Sequence, residues 1–298
     1  MERASWEFEE GARISEWRTA LKEIGGGSRY EVYLVWDEDL FALAVAKILR
    51  PDQVGDERAL RELAEEAEVL RRVSHPVIIR GFDAVLEGPH PHVLIEHLEG
   101  PSLRRLIRRS GALSMQQVLP LALNVAGALA YLARREMVHL DVKPDNIVMG
   151  VPPRLIDLSI ARGVERAAGG VGPLGTDAYM APEQCGRQAK EDFGPMGPPA
   201  DVWGLGATLH HALSGHRPFP RGEGARDSEN PLVRFPQLEA EAEPLPGHIT
   251  AELGELVASM LRKQPSERPS AAEVADALEP FVAGLPRKLS LSRRGNFA

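Results

Sequence analysis

The chain has 298 residues, 43% of them hydrophobic and 26% charged, with a formal net charge of -8. That is enough apolar matter for one large domain or two lobes with cores of their own, and the negative balance offers no broad basic field for nucleic acid or an anionic membrane. A single cysteine, Cys185, excludes an intramolecular disulfide and suits a reducing cytoplasm.

The first ten residues are acidic and lack the apolar core of an export leader. Residues 24–32, Ile-Gly-Gly-Gly-Ser-Arg-Tyr-Glu-Val, read as a glycine-rich turn between two strands, where amides without a Cβ clash can approach phosphate. Residues 31–36 and 42–47 read as strands, and 56–73 as a helix with Leu60, Leu63, Ala67 and Leu70 on one stripe. Residues 92–96 form a further strand. Glu99-Gly100-Pro101 then breaks the pattern and marks a lobe boundary. Helices dominate beyond it, at 103–109, 114–136, 200–213, 249–261 and 271–278. The longest apolar run, 118–132, falls short of the roughly 20 residues of a membrane span and holds Pro120 and Asn124; it reads as a buried helix. Residues 163–176 and 193–199 read as long loops, of the kind that carry function. A strand-rich piece before a helix-rich piece predicts an α+β fold in two lobes. The divisions are an N-terminal extension at 1–15, a small β-rich lobe with one main helix at 16–98, a larger helical lobe at 99–283, and a basic flexible tail at 284–298.

Only six of the 35 basic residues are lysines, which singles out Lys47 and Lys143. Lys143 belongs to the densest chemical stretch, His139-Leu-Asp-Val-Lys-Pro-Asp-Asn146. A short strand at 147–149, a turn at 150–153 and a return strand at 154–156 bring Asp157 beside Asn146, and an amide oxygen next to a carboxylate makes a hard-oxygen site for Mg²⁺. Lys47 closes the apolar strand Ala44-Val-Ala-Lys47.

This set resembles the eukaryotic-type (Hanks-type) Ser/Thr protein kinases, in the form found in bacteria, over residues 16–281. The resemblance implies a bilobal protein-kinase-like fold and transfer of the γ-phosphoryl group of Mg-ATP, or of its Mn²⁺ complex, to Ser or Thr hydroxyls of a protein substrate. It implies catalytic roles for Asp141, which orients the acceptor hydroxyl, Lys143, Lys47 and its helix partner Glu66. Glu62 and Glu65 stand behind Glu66 as alternatives. Asn146 and Asp157 are the implied metal ligands. Ile24, Gly25, Gly27, Val32, Ala44, Lys47, Ile95, Glu96 and Leu98 are the implied nucleotide contacts, with 96–98 as the hinge and Ile95 guarding the back of the pocket.

Gly175-Thr-Asp-Ala-Tyr-Met-Ala-Pro-Glu183 resembles the end of a kinase activation segment. Thr176 is expected on Asp141 and Lys143, Glu183 on Arg268, and Asp201 beneath the catalytic loop. Three residues depart from the family pattern: Tyr30 replaces a glycine, Leu140 the arginine that receives an activation-loop phosphate, and Ser159 a glycine. They support the alternative of a pseudokinase serving as a nucleotide-binding or scaffolding module. Residues 160–175 hold no Ser or Thr, so activity independent of activation-loop phosphorylation is expected, with control by a protein partner, nucleotide-loop closure or abundance. Ser290 and Ser292 are the tail candidates for autophosphorylation.

Overall fold

The computed structural model describes residues 4–170, 172–222 and 224–285. Of the tail read at 284–298, residues 286–298, with Ser290 and Ser292, lie outside the described residues. The β-branched and aromatic stretches of the first hundred residues pair as an antiparallel sheet. Its strands are β1 (Arg13–Ser15), β2 (Arg18–Gly26), β3 (Tyr30–Asp37), β4 (Ala42–Leu49) and, after helix α1 (Glu57–Arg72), β5 (Gly81–Val85) and β6 (His92–Glu96). They lie in the order β1-β2-β3-β4-β6-β5. The register sets Val32 opposite Lys47 and Val45 opposite Ile95.

The sheet packs on both faces, against α1 on one and an apolar cluster on the other. On the outer face Tyr33, Val35, Ala44, Ala46, Ile48 and Leu94 cluster with Ile14 and Ala20, roofed by Trp6 and Phe8. The Trp6 amide donates to the Glu31 carboxylate at 3.1 Å and its indole Nε1 to the Leu49 carbonyl at 2.8 Å. Phe8 meets Tyr33 edge-on at 5.4 Å. The segment set apart as an extension therefore supplies both the first strand and the roof of the sheet.

α1 starts at Asp56, whose carboxylate accepts from the Arg58 amide at 2.8 Å, and ends on Arg71 and Arg72, charges that suit its two termini. Its buried stripe is Ala59, Leu63, Glu66, Val69 and Leu70. Leu60 and Ala67, expected on that stripe, are only partly buried, and the stripe holds one charge, Glu66.

The second lobe contains α2 (Leu103–Ser110), α3 (Met115–Ala133), β7 (Met137–Val138), β8 (Ile147–Val148), β9 (Arg154–Leu155), β10 (Arg162–Gly163), α4 (Val164–Gly169), α5 (Arg187–Phe193), α6 (Pro198–Ser214), α7 (Pro231–Arg234), α8 (Ala251–Met260) and α9 (Ala271–Ala283). α3 has the length and composition to cross a bilayer, yet it packs against α6 and α9. It stops three residues short of the expected 136, in a turn where Glu136 takes a φ of 55°. Every residue of α6 from Ala200 to Leu213 is buried, as in a helix enclosed on all sides. The expected loops at 163–176 and 193–199 are shorter than read: α4 occupies part of the first and α6 begins inside the second.

Candidate active site

Between the lobes lies a cleft of about 370 Å³. Its upper wall is the sheet face opposite the Trp6 roof. β4 sends Lys47, two residues before its end, into the cleft, where its ammonium donates to both oxygens of Glu66 at 2.9 and 2.8 Å and to Asp157 Oδ1 at 3.2 Å. Burial acts to lower the lysine pKa; the Glu66 and Asp157 carboxylates outweigh it and raise it. Burial would likewise raise the Asp157 pKa, but Lys47, a hydrogen bond from Ser159 and Lys143 hold the carboxylate well below its usual range. Glu66, chosen from four neighbouring glutamates, is thus the partner. Glu62 pairs instead with Arg29 and Arg58, and Glu65 with Arg166.

The lower wall is the catalytic loop. Asp201, at the start of α6, accepts the backbone amides of His139 at 2.8 Å and Leu140 at 2.7 Å. Gly204 permits this close approach, since a Cβ there would meet the Val142 carbonyl at 2.9 Å. Lys143 Nζ donates to Asp141 Oδ2 at 2.5 Å and to Thr176 Oγ1 at 2.6 Å. Thr176 therefore reaches Asp141 through the lysine rather than directly. Asn146 Nδ2 donates to Asp141 Oδ2 at 3.0 Å. Asp141 Oδ1 is buried and has no partner among the described residues.

The hairpin expected at 147–156 is present. β8 pairs with β9, and the Ile156 amide donates to the Asn146 carbonyl at 2.8 Å. Asn146 and Asp157 both line the cleft. Because the Asn146 amide nitrogen is turned to Asp141, its oxygen is left for a cation. One amide oxygen and one ionised carboxylate fit Mg²⁺, which retains water and phosphate oxygens in the rest of its shell.

Not every expected contact faces the cleft. Ala44 is wholly buried in the outer cluster. The strand alternates, so Val45 shares the face of Lys47 and Ala44 does not. Gly27, Val32 and Ile95 line the cavity, whereas Ile24, Gly25, Glu96 and Leu98 lie outside its lining. Ile24 is 49% exposed. The Glu96 carboxylate is engaged by Arg154 and by the Arg80 amide, and its own amide donates to the Arg80 carbonyl.

Other residues close the site without having been expected there. Leu70, Ile79 and Ile156 supply apolar lining. Tyr30, read only as a missing glycine, lays its ring 4.6 Å from the Lys47 ammonium. Gln184 Nε2 donates to the Leu140 carbonyl at 2.9 Å and the Leu174 carbonyl at 2.7 Å, tying the activation segment to the catalytic loop. Its position next to Ala-Pro-Glu183 was the available signal. Glu183 and Arg268 meet as expected, at 2.7 and 2.8 Å.

Residues 18–278 match the family model for the protein kinase domain. Among curated relatives, the serine/threonine-protein kinase pkn2 of Myxococcus xanthus is 33% identical over 277 residues, covering 87% of this chain and 31% of the relative. PkaA of Streptomyces coelicolor is 30% identical over 92% of this chain and 49% of its own length. PknL of Mycobacterium tuberculosis is 30% identical over 83% of this chain and 60% of its own length. The chain thus spans less than two thirds of the length of these relatives.

Proposed function

The chain belongs to the protein kinase family, and on that premise we propose that it transfers the γ-phosphoryl group of ATP, with Mg²⁺ or Mn²⁺, to Ser or Thr hydroxyls of a protein. The observation that carries the reading is the meeting of two lysine–carboxylate sets across one cleft. Lys47 with Glu66 and Asp157 forms the upper set; Lys143 with Asp141 and Thr176 forms the lower. Phosphoryl transfer asks little covalent chemistry of the protein and much alignment and charge neutralisation.

In this reading Lys47, braced by Glu66, holds the inner phosphates. Asp141, held at Oδ2 by Lys143 and Asn146, takes the hydrogen of the acceptor hydroxyl on its carboxylate. Lys143 faces the charge that moves off the γ-phosphoryl group. A divalent cation on Asn146 and Asp157 would supply further neutralisation of phosphate charge.

The three departures from the family pattern leave this geometry standing, which favours an enzyme over a pseudokinase. Leu140 is 3% exposed and its backbone is engaged on both sides, by Asp201 and Gln184. Its apolar contacts and these hydrogen bonds order the loop with no phosphate, which supports activity independent of activation-loop phosphorylation. The test is transfer from labelled ATP to several Ser- and Thr-containing acceptors with Mg²⁺ or Mn²⁺. Wild type should exceed an Asp141→Asn control by at least about a hundredfold, the low end of a general base contribution. Equal signals would leave the pseudokinase.

A further inference from the structure

α2 carries four arginines in eight residues, Arg104, Arg105, Arg108 and Arg109, and no acid. Leu103 and Ile107 form its buried stripe, so its hold on the core does not need the charges. The helix packs on the catalytic-loop turn Pro144–Asn146 and on α6. None of the four, nor Arg217, joins an ion pair among the described residues. The ordinary account of such a helix is a solvated face. Here the helix lies beside the catalytic-loop turn, and a run of contacts ties its Arg104 to the activation segment.

Arg104 Nη1 lies 3.5 Å from His211 Nε2, and His211 Nδ1 lies 2.6 Å from the Tyr179 hydroxyl. The Tyr179 amide donates to the Thr176 carbonyl at 2.8 Å, and Thr176 holds the catalytic-loop lysine. Burial first, then the charges of Arg104 and Arg217, lowers the His211 pKa to about 4, so the imidazole is neutral and can accept from Arg104. Arg217 also stands beside Tyr179, with Asp145 the carboxylate that acts against it there. In a chain of net charge -8, α2 with Arg217 is a local excess of positive charge.

We infer that α2 and Arg217 form a recognition ridge for an acidic segment of the protein substrate beside its acceptor Ser or Thr. The inference rests on the kinase reading above. Charge complementarity selects the occupant. Arg104 and Arg108 are one turn apart, a rise of about 6 Å. An extended chain advances about 6.6–7 Å over two residues. The ridge therefore matches acids at alternate positions of an extended peptide.

The experiment compares three peptides that share one Ser acceptor and differ only in alternating Glu, Gln or Arg on its flanks. The wild-type chain should take the Glu peptide with a KM roughly tenfold below that of the Gln peptide and a similar kcat, the sum of a few exposed ion pairs. The gap should shrink at about 0.5 M salt. Arg104→Glu/Arg108→Glu should reverse the order of the Glu and Arg peptides and leave the KM for ATP unchanged. Arg108→Gln, at an exposed position, should reduce the preference without threatening the fold. Equal KM values for the three peptides in wild type, or a preference that survives both variants, would overturn the inference. Binding of anionic vesicles through these arginines without any peptide preference would also overturn it. Transfer to none of the peptides, at the level of Asp141→Asn, would instead take down the kinase reading and this inference with it.

Discussion

Removing either half of the Glu183–Arg268 bridge should unfold the helical lobe at markedly lower temperature. Both side chains are 0% exposed. The five guanidinium donors of Arg268 are matched by five acceptors. Nη1 and Nη2 reach Glu183 at 2.7 and 2.8 Å, Nη1 reaches the Pro199 carbonyl at 2.9 Å, Nη2 the Lys263 carbonyl at 2.9 Å, and Nε the Arg262 carbonyl at 2.8 Å. Arg268→Ala therefore strands a buried carboxylate and three carbonyls, and Glu183→Ala strands a buried guanidinium. Breaking a buried pair from one side costs about 3–5 kcal/mol. At about 2–4 °C per kcal/mol for a chain of this size, each single variant should melt some 10 °C lower. The double variant leaves no uncompensated charge and should lose less than the sum, with a coupling of about 2 kcal/mol or more. Thermal and urea melts of wild type, both singles and the double provide the cycle. Repeating them at about 0.5 M salt should change little, because a pair without solvent contact is screened weakly. Single variants that lose under about 1 kcal/mol, or strict additivity, would refute the reasoning.

Tyr30→Gly should tighten ATP binding about fivefold, since the ring holds Lys47 by a cation–π contact of roughly 1 kcal/mol inside the cleft; an unchanged or weaker nucleotide Kd by calorimetry would count against it. Ile95→Gly should admit bulky purine analogues as inhibitors, because Ile95 lines the cavity next to Lys47 and Val32; a folded, active variant with unaltered analogue sensitivity would show the pocket's back wall to lie elsewhere. Phosphatase treatment should leave transfer to a separate substrate intact, and a large loss traced by mass spectrometry to Thr176 would contradict the reading of Leu140. His92 and His211 are each lowered to about 4, burial being the first cause. The folded state then binds fewer protons than the unfolded state between about pH 6.5 and 4, so stability is full above that window and falls through it as pH drops. The slope is at most about 1.4 kcal/mol per pH unit for each histidine, and urea midpoints that match at pH 7 and 5 would disprove it.

The catalytic half of the site was legible because its chemistry is local. Asp141, Lys143, Asn146 and Asp157 fall on one loop and one hairpin, and the turn at 150–153 dictates that they meet. Glu66 was legible through the resemblance, with Glu62 and Glu65 behind it. The nucleotide half was less so. In Ala42-Leu-Ala-Val-Ala-Lys47 every residue before the lysine is apolar, and the sheet has packing on both faces, α1 on one side and Trp6 and Phe8 on the other. Alternation of polarity, which assigns a face, is absent there, so the sequence does not show that Ala44 points away from Lys47. β5 escaped because Gly81-Phe-Asp-Ala-Val85 lacks a period, and α4 because glycines flank it. The Arg104–His211–Tyr179 run joins three segments distant in sequence, which no local pattern could connect.

Leu140 gives the catalytic loop an unusual thermal character. An arginine tied to a phosphate weakens as salt rises, because its hold is Coulombic. A leucine sealed in the core holds by apolar burial, which is almost purely entropic near room temperature, carries a large heat-capacity change and loses strength on cooling. The share of loop order that Leu140 contributes should consequently vary more with temperature than with ionic strength.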